Sequence, residues 1–119
     1  MKKILIVDDN ELNITILLEA LGNLYDVSIA LSAKEAFEVL EEELPDLIVL
    51  DIIMGEISGI EVCKKVKSEE KTQHIPVIFL TATHEALKTL AYDAGADDFM
   101  TKPFKADLLR AKIKTLIKE

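Results

Sequence analysis

The stretch Ile48–Gly55, IVLDIIMG, sets one aspartate, Asp51, directly after a run of apolar residues and directly before another. Such a continuous apolar run is typical of a strand that is buried on both faces of a parallel sheet. A carboxylate at the end of that strand loses hydration, which costs free energy unless a cation or hydrogen-bond donors compensate. The stretch therefore predicts a buried strand and requires partners for Asp51 from elsewhere in the chain.

Strand-like and helix-like segments alternate five times along the chain. The strand-like segments are KKILIVDD, YDVSIAL, PDLIVLD, HIPVIFLTA and DDFMT. The central ones are continuously apolar, which favours a parallel sheet covered by helices on both faces. Because crossovers between parallel strands are right-handed, the alternation predicts an α/β fold, a doubly wound (βα)5 sandwich of three layers.

Helical periodicity and capping signals mark the segments between the strands. Serine and glutamate stand at capping-box spacing at Ser32 and Glu35 and again at Ser58 and Glu61. Gly95 is expected to end the fourth helix. The predicted buried stripes, in helix order, are Ile14, Leu17, Leu18 and Leu21; Ala33, Ala36, Phe37 and Leu40; Gly59, Val62, Cys63 and Val66; Leu87, Leu90, Ala91 and Ala94; and Leu109, Ile113 and Leu116.

Length and composition favour one globular domain over residues 1–119. The chain has 119 residues, of which 50% are apolar and 30% charged, which is enough for a hydrophobic core and unlike a disordered segment. Its formal net charge of −8 argues against gripping the phosphate backbone of a nucleic acid. We therefore expect no direct nucleic-acid partner.

Several classes of site and location are disfavoured. The chain has a single cysteine, Cys63, which excludes an internal disulfide and is expected to fill the core. His74 and His84 are too few for a zinc cluster of Cys and His, and we expect both in loops or on the surface. No apolar run approaches the ~20 residues of a membrane span, and MKKILIVDDN turns acidic too early for a secretory signal. We expect a cytoplasmic protein without a membrane partner.

Chemistry-bearing residues stand where the predicted strands end, and ligands of open parallel sheets bind at that edge. The first strand ends at Asp8 and Asp9, the third at Asp51 and the fourth at Thr81, and the fifth leads to Lys102. Hard oxygen ligands in small number suit Mg²⁺, and a lysine ammonium can offset the remaining charge of the acids. The plainer interpretation makes the first two acids helix caps, the threonine a turn residue and the lysine a surface residue.

The segments ILIVDDN, LIVLDIIMG, FLTA and DDFMTKPF resemble the signature segments of the receiver domain of two-component response regulators, over the entire chain. The resemblance implies a flavodoxin-like sheet in the order 2-1-3-4-5. It implies that Asp51 accepts a phosphoryl group from the phosphohistidine of a sensor histidine kinase or a phosphotransfer protein. Such a transfer requires an ionised nucleophile and cations that neutralise the phosphoryl oxygens.

The same resemblance assigns roles to the neighbours of Asp51. Asp9 would bind Mg²⁺ directly together with Asp51, Asp8 would act through the water shell of the metal, and the backbone carbonyl of Ile53 would complete the metal site. In addition, Thr81 would hydrogen-bond one phosphoryl oxygen and Lys102 would pair with another. The bond between Lys102 and Pro103 is expected to be cis.

The sequence departs from the family pattern at two informative places. Gly55 stands where a proline is usual, and Phe99 stands at the switch position usually occupied by tyrosine or another aromatic residue, so the ring is kept and the hydroxyl is lost. The resemblance implies that Thr81 and Phe99 carry the signal to the face formed by the fourth helix, the fifth strand and the fifth helix. That face would include Lys88, Tyr92 and Lys105 and could form a homodimer.

Two other classes of function stay open at this point. A Mg²⁺-dependent phosphohydrolase on a similar fold could use the same acids and lysine, but such enzymes often carry an aspartate two residues after the nucleophile, where Ile53 stands. A docking module independent of phosphorylation would not need the acids, hydroxyl and lysine together. We expect either a free-standing receiver or one cut from a longer protein with an output domain beyond Glu119. Two stretches, DDNELNITILLEAL and EVCKKVKSEEKTQHIPVIFLTA, resemble receivers attached to cyclic-di-nucleotide enzymes or hybrid kinases more than those of DNA-binding regulators.

Overall fold

Strands and helices alternate without exception in the computed structural model, which describes residues 1–55, 57–82 and 85–118 and all their side chains except those of Glu85 and Ala86. His84 and Glu119 therefore lie outside the described residues. The strands are β1 (Lys3–Val7), β2 (Asp26–Ala30), β3 (Leu47–Leu50), β4 (Val77–Thr81) and β5 (Asp98–Thr101). The helices are α1 (Glu11–Leu21), α2 (Ala33–Glu42), α3 (Gly59–Ser68), α4 (Glu85–Asp93) and α5 (Ala106–Ile117).

All five strands form one parallel sheet in the order β2-β1-β3-β4-β5, which confirms the predicted fold class and strand order. The register sets Val7 beside Leu50, and Leu50 beside Phe79. The residues that follow β1 and β3, Asp8 and Asp51, therefore begin at the same level of the sheet. The polar residues at the strand ends meet at one edge because the strands are parallel.

Hydrophobic cores lie on both faces of the sheet. Leu5 and Val7 belong to the core beneath α2, α3 and α4, while Ile4 and Ile6 belong to the core beneath α1 and α5. Each of these side chains is at most 1% exposed, and burial of one such side chain stabilises the fold by roughly 1.5–3 kcal/mol. This two-sided burial explains why the central strands are continuously apolar and not alternating.

The residues of the helical stripes are buried or partly buried as predicted, apart from two that are exposed. Ile14, Leu17 and Leu21 fill the α1 side of the sheet, so Leu18 lies at the margin of the stripe and is partly exposed. Leu90 of α4 is 49% exposed, because Ala91 and Ala94 provide the buried contacts of that helix. The four residues of the α3 stripe, including Cys63, are buried as expected.

One predicted capping box forms in part, with its return bond shifted by one residue, and the other is wrong. Ser32 Oγ accepts a hydrogen bond from the Glu35 backbone N–H at 3.1 Å, while the Glu35 carboxylate accepts one from the Leu31 N–H at 3.0 Å. Ser58 is the N-cap residue of α3, but its side chain makes no capping hydrogen bond. The start of α3 is instead fixed by a backbone contact with the chain that follows β3. None of the helices in the described part of the chain is long and apolar enough to cross a bilayer.

Candidate functional site

Asp51 directly follows β3 and is held by backbone contacts on both sides. Its N–H donates to the Val7 carbonyl at 3.0 Å, and the Gly59 N–H donates to the Ile52 carbonyl at 2.7 Å. A Cβ atom on Gly59 would lie 1.9 Å from the Asp51 carbonyl oxygen, so only glycine permits this close approach. The side chain of Asp51, in a residue that is 8% exposed, is thereby fixed in position at the sheet edge.

Three carboxylates converge at this edge. Asp8, Asp9 and Asp51 each offer an oxygen atom, and these oxygens all lie within 4.8 Å of one another. Asp8 is only 2% exposed and also accepts a hydrogen bond from the Asn10 N–H at 2.9 Å, whereas Asp9 is exposed to solvent. Carboxylate oxygens at this separation fit a hard divalent cation such as Mg²⁺, which is bound by few protein ligands and keeps several waters.

Lys102 brings a cation to the acids. Its Nζ atom donates to Asp8 Oδ2 at 3.0 Å and contacts Asp51 Oδ2 at 3.5 Å. The Lys102 side chain is 12% exposed, so both contacts are shielded from solvent. Its backbone N–H donates to the Thr81 carbonyl at 3.1 Å, and the bond between Lys102 and Pro103 is cis. The lysine is therefore tied to the ends of both β4 and β5.

Thr81 and Phe99 occupy the strands between this site and the α4 side of the molecule. Thr81 is 1% exposed, lines the cleft above Asp51 and pairs in register with Thr101 of β5. Phe99 pairs in register with Phe79 and is half-buried against the core beneath α4. The positions expected at the signalling face, Lys88, Tyr92 and Lys105, are all exposed.

A charged link joins the elements of the face formed by α4, β5 and α5. Lys112 Nζ of α5 donates to Asp98 Oδ2 at 2.8 Å, and Asp98 Oδ1 accepts from the Phe99 N–H. Partial burial, and then the negative charge of Asp98, raise the pKa of the Tyr92 phenol on α4 above its ordinary value. Asp98 therefore interacts with α4 and α5 while it also holds the backbone of Phe99.

An open cleft of about 640 Å³ lies above the acids and extends beyond them. Asp9, Asp51, Thr81 and Lys102 line one part together with Ile53, which is 65% exposed. The remaining part is lined by Pro103, which the sequence analysis named for its cis bond, and by residues that it did not single out: Asn10, Asn13, Ile16, Ala82 and Phe104. Asn13 and Ile16 stand three residues apart on α1 and therefore share one face of that helix, which is the signal that the sequence offered for them.

The family of the chain follows from comparison with known proteins. The family model for the response regulator receiver domain matches residues 4–114. The chain is 43% identical, over 98% of its length, to the alkaline phosphatase synthesis transcriptional regulatory protein PhoP of Bacillus subtilis, and 37% identical, over 96% of its length, to the response regulator PleD of Caulobacter vibrioides. It covers 49% of the first and 26% of the second, so it spans half or less of these curated relatives.

A solved structure gives the same result for the fold. The receiver domain of a sensor histidine kinase from Pseudomonas aeruginosa, crystallised with a magnesium ion in its active-site cleft, superposes with a TM-score of 0.91 at 27% identity, covering 99% of this chain and 98% of that one. The acidic cluster of this chain fits the acidic pocket in which receiver domains bind Mg²⁺. The chain belongs to the family of response regulator receiver domains, the phosphorylation-controlled switches of two-component signalling.

Proposed function

We propose that Asp51 accepts a phosphoryl group from the phosphohistidine of a histidine kinase or of a phosphotransfer protein. The observation that carries this proposal is the position of the Asp51 carboxylate at the sheet edge, 3.5 Å from the Lys102 ammonium and beside two further acids, in a cleft open to solvent. The ammonium compensates the hydration that a nearly buried carboxylate loses, and a carboxylate is the nucleophile that the transfer requires.

The side chains around Asp51 divide the work of the transfer. One Asp51 oxygen forms a bond to phosphorus while the bond from phosphorus to the donor nitrogen breaks, and the electron pair of that bond goes to the imidazole ring. Lys102 moves from the acids to one phosphoryl oxygen and neutralises part of its charge. The Thr81 hydroxyl donates a hydrogen bond to another oxygen. Positioning and charge neutralisation are the main contributions that phosphoryl transfer needs from a protein.

The acids also hold the metal in this proposal. Asp9, Asp51 and the backbone carbonyl of Ile53 would bind Mg²⁺ directly, and Asp8 would act through its water shell. The cluster of carboxylate oxygens within 4.8 Å supports this assignment. When bound, Mg²⁺ supplies positive charge that offsets the charge on the phosphoryl oxygens.

The consequence of phosphorylation is a change of the face formed by α4, β5 and α5. Two positions support this part of the proposal: Thr81, at the end of β4, lines the cleft together with Asp51, and Phe99 lies on the neighbouring strand β5 against the core beneath α4. The same proposal includes a homodimer through this face and an output domain or separate downstream protein that reads its state. It also includes one domain over residues 1–119 and a cytoplasmic location. Two cores on one shared sheet support the single domain.

We propose a switch with slow loss of the phosphoryl group and not a phosphohydrolase with turnover. Rapid hydrolysis of an aspartyl phosphate requires a group that takes a proton from the attacking water. Ile53, two residues after Asp51, lines the cleft and cannot accept a proton. The position that a phosphohydrolase would use for an acid is therefore apolar.

Incubation with Mg²⁺ and acetyl phosphate, followed by intact mass measurement and peptide mapping, tests the proposal. We expect a mass gain of one phosphoryl group per chain, on Asp51. Asp51→Asn should abolish the gain because an amide is a poor nucleophile, while Asp93→Asn, which removes an exposed acid at the end of α4, should leave it unchanged. Labelling of another residue in the Asp51→Asn variant would show that the acceptor is assigned wrongly.

A further inference from the structure

Strand β2 stands at the end of the sheet order, so β1 lies on one side of it and no strand of the described residues lies on the other. Its first residue, Asp26, donates its N–H to the Lys2 carbonyl at 2.9 Å, and the carbonyl of its last residue, Ala30, accepts from the Asp8 N–H at 3.1 Å. Backbone groups of successive residues in a strand point to opposite sides, so the even-numbered residues of β2 face β1. The backbone groups of the odd-numbered residues therefore face away from the sheet.

Val27 and Ile29 are the odd-numbered residues of β2, and together they offer two N–H donors and two carbonyl acceptors at the open edge. Within the described part of the chain no side chain takes up these groups. On either side of this window the outward N–H groups are already used, since the Tyr25 N–H donates to a carbonyl of α1 and the Leu31 N–H donates to a carboxylate of α2. The edge that is open to a further strand is therefore limited to residues 27–29.

This edge lacks the protection that the other edge of the sheet has. Edge strands are commonly shielded by charged side chains, by proline or by a bulge. On β5 the Asp98 carboxylate accepts from the Phe99 N–H at 2.8 Å, so a charged side chain occupies that edge. The stretch from residue 27 to residue 30 is VSIA, without charge or proline, and Ile29 is 36% exposed. An uncovered strand of this composition favours pairing with another strand.

We propose that β2 pairs antiparallel with β2 of a second copy of this chain, about a twofold axis that passes through Ser28. In this register Val27 of each copy stands opposite Ile29 of the other. Residues in a hydrogen-bonded antiparallel pair exchange both of their backbone bonds, so every outward group of the two strands is satisfied. The inference does not rest on the proposed function, because neither Asp51 nor the face formed by α4, β5 and α5 takes part.

The side chains along this register suit a second copy. Val27 packs against the core beneath α1, and Ile29 lies on the same face of the strand, so the pairs across the axis are β-branched on both sides. Ser28 meets its own copy on the other face, where the close approach of a non-hydrogen-bonded pair suits a small side chain. Asp26 stands opposite Ala30, so the charged residue of β2 does not face itself.

The net charge of the chain makes the salt dependence of this pairing informative. Each copy carries a formal charge of −8, so the two copies repel each other. The screening length falls from about 30 Å at 0.01 M salt to about 3 Å at 1 M salt. Pairing through backbone hydrogen bonds and apolar side chains should therefore strengthen as salt is added, whereas an interface held by ion pairs should weaken.

Sedimentation velocity of the unphosphorylated chain over a range of concentrations, at low and at high salt, measures the association. We expect a reversible dimer that is tighter at high salt. Amide hydrogen exchange then locates the contact: where about nine tenths of the chains are paired, the Val27 and Ile29 N–H groups should exchange about tenfold more slowly than in dilute solution, because only the unpaired tenth exchanges. The Ser28 N–H faces β1 and should be protected at both concentrations.

Matched variants test the edge itself. Ile29→Lys places a charge on the edge and should raise the dissociation constant of the dimer by at least about tenfold. Ile29→Thr keeps a β-branched side chain and should stay within about threefold of the wild type. Ile57→Lys makes the same change of charge at an isoleucine that is 45% exposed after β3, and Leu90→Lys makes it on α4, where the leucine is 49% exposed. Both should leave the dimer intact.

Three results would overturn the inference: a chain that stays monomeric at high salt and at its highest soluble concentration, a dimer that Leu90→Lys disrupts and Ile29→Lys does not, or a dimer without slower exchange at Val27 and Ile29. The exchange measurement needs no variant, so it decides the question even if Ile29→Lys does not fold. None of these results alters the labelling of Asp51, which tests the proposed function separately.

Discussion

The ammonium group of Lys102 lies closer to Asp8 than to Asp51, with distances of 3.0 Å and 3.5 Å from Nζ to the nearer carboxylate oxygens. The lysine proposed to neutralise the phosphoryl group therefore compensates two acids in the absence of phosphate. A metal ion that takes up the oxygens of these acids must compete with that ammonium. In our proposal Lys102 therefore pairs with Asp8 and Asp51 before phosphorylation and with the phosphoryl group after it.

This competition predicts that Lys102→Met strengthens Mg²⁺ binding by about tenfold, equal to about 1.4 kcal/mol, because the acids lose their internal cation. Without Mg²⁺ the variant should be less stable by about 1–3 kcal/mol, since nearly buried carboxylates are left uncompensated. Urea unfolding with and without Mg²⁺ and an NMR titration measure both effects. Lys105→Met removes an exposed lysine nearby and should change neither quantity. Weaker Mg²⁺ binding in Lys102→Met would show that the lysine does not compete.

Asp8 is buried and Asp9 is exposed, and this difference predicts different effects of their removal on the stability of the metal-free fold. Asp9→Ala should weaken Mg²⁺ binding by at least about tenfold and leave the free energy of unfolding without metal within about 0.5 kcal/mol, because Asp9 is exposed and repelled by its neighbours. Asp8→Ala should destabilise the metal-free fold by about 1–3 kcal/mol, since Lys102 and the Asn10 N–H lose their acceptor. Calorimetric titration and urea unfolding of both variants provide the comparison. Unchanged Mg²⁺ affinity in Asp9→Ala would show that Asp9 does not bind the metal and only precedes the N-cap residue of α1.

The fold could be predicted from the sequence because its signals are local and repeated. Continuous apolar runs gave the strands of β1, β3 and β4, and helical stripes gave the covering helices. Ser58 shows where local signals fail: its spacing to Glu61 is that of a capping box, yet the Glu61 N–H donates to the Ser58 carbonyl at 3.1 Å and the Gly59 N–H donates to the Ile52 carbonyl. A contact between the start of α3 and the chain after β3 replaces the local cap there.

The candidate site, like the fold, could be predicted from the sequence only in part. The acids, Thr81 and Lys102 stand at strand ends, so parallel topology alone brings them to one edge. Asn13 was missed because it follows no strand and reaches the cleft from the first turn of α1, which depends on how that helix packs against the sheet. The closer pairing of Lys102 with Asp8 also depends on tertiary geometry that spacing along the chain does not encode.

The buried thiol of Cys63 predicts a loss of stability at alkaline pH. Burial raises the pKa of this thiol from 9.0 to about 11, and its Sγ donates to the Ala94 carbonyl at 3.4 Å. Between pH 9 and pH 11 the unfolded chain has released the proton while the folded chain retains it, so stability falls as pH rises. The thiol should contribute a loss of about 1.4 kcal/mol at pH 10 relative to pH 7.

Because tyrosine and lysine residues also titrate in this range, the Cys63 contribution is measured as a difference. Urea unfolding of the wild type and of Cys63→Ala at pH 7 and pH 10 gives it directly. The alanine variant should be less stable at pH 7, from the lost packing, and should lose about 1.4 kcal/mol less between the two pH values. Parallel pH profiles of the two proteins would mean that the thiol ionises equally in the folded and unfolded states.

The last prediction concerns the path from Asp51 to the face of α4, β5 and α5. A phosphoryl group on Asp51 should draw the buried Thr81 hydroxyl toward its oxygen and free space beside the half-buried ring of Phe99. Phe99 has no hydroxyl, so it can respond only through packing. Complete burial of such a ring contributes roughly 1.5–3 kcal/mol, and about 1.4 kcal/mol already changes a two-state ratio tenfold.

Thr81→Ala should therefore still accept a phosphoryl group or beryllofluoride, a phosphoryl mimic, at Asp51 but lose the response of Phe99 and α4. Amide NMR spectra with and without beryllofluoride measure this: shifts near Asp51 should persist, and those on α4 and β5 should fall to less than about half. Thr101→Ala is the matched control, because Thr101 pairs in register with Thr81 but is exposed. It should respond like the wild type. Equally large shifts on α4 and β5 in Thr81→Ala would show that the signal reaches this face without the Thr81 hydroxyl, most directly through Lys102 and the end of β5 to which it is tied.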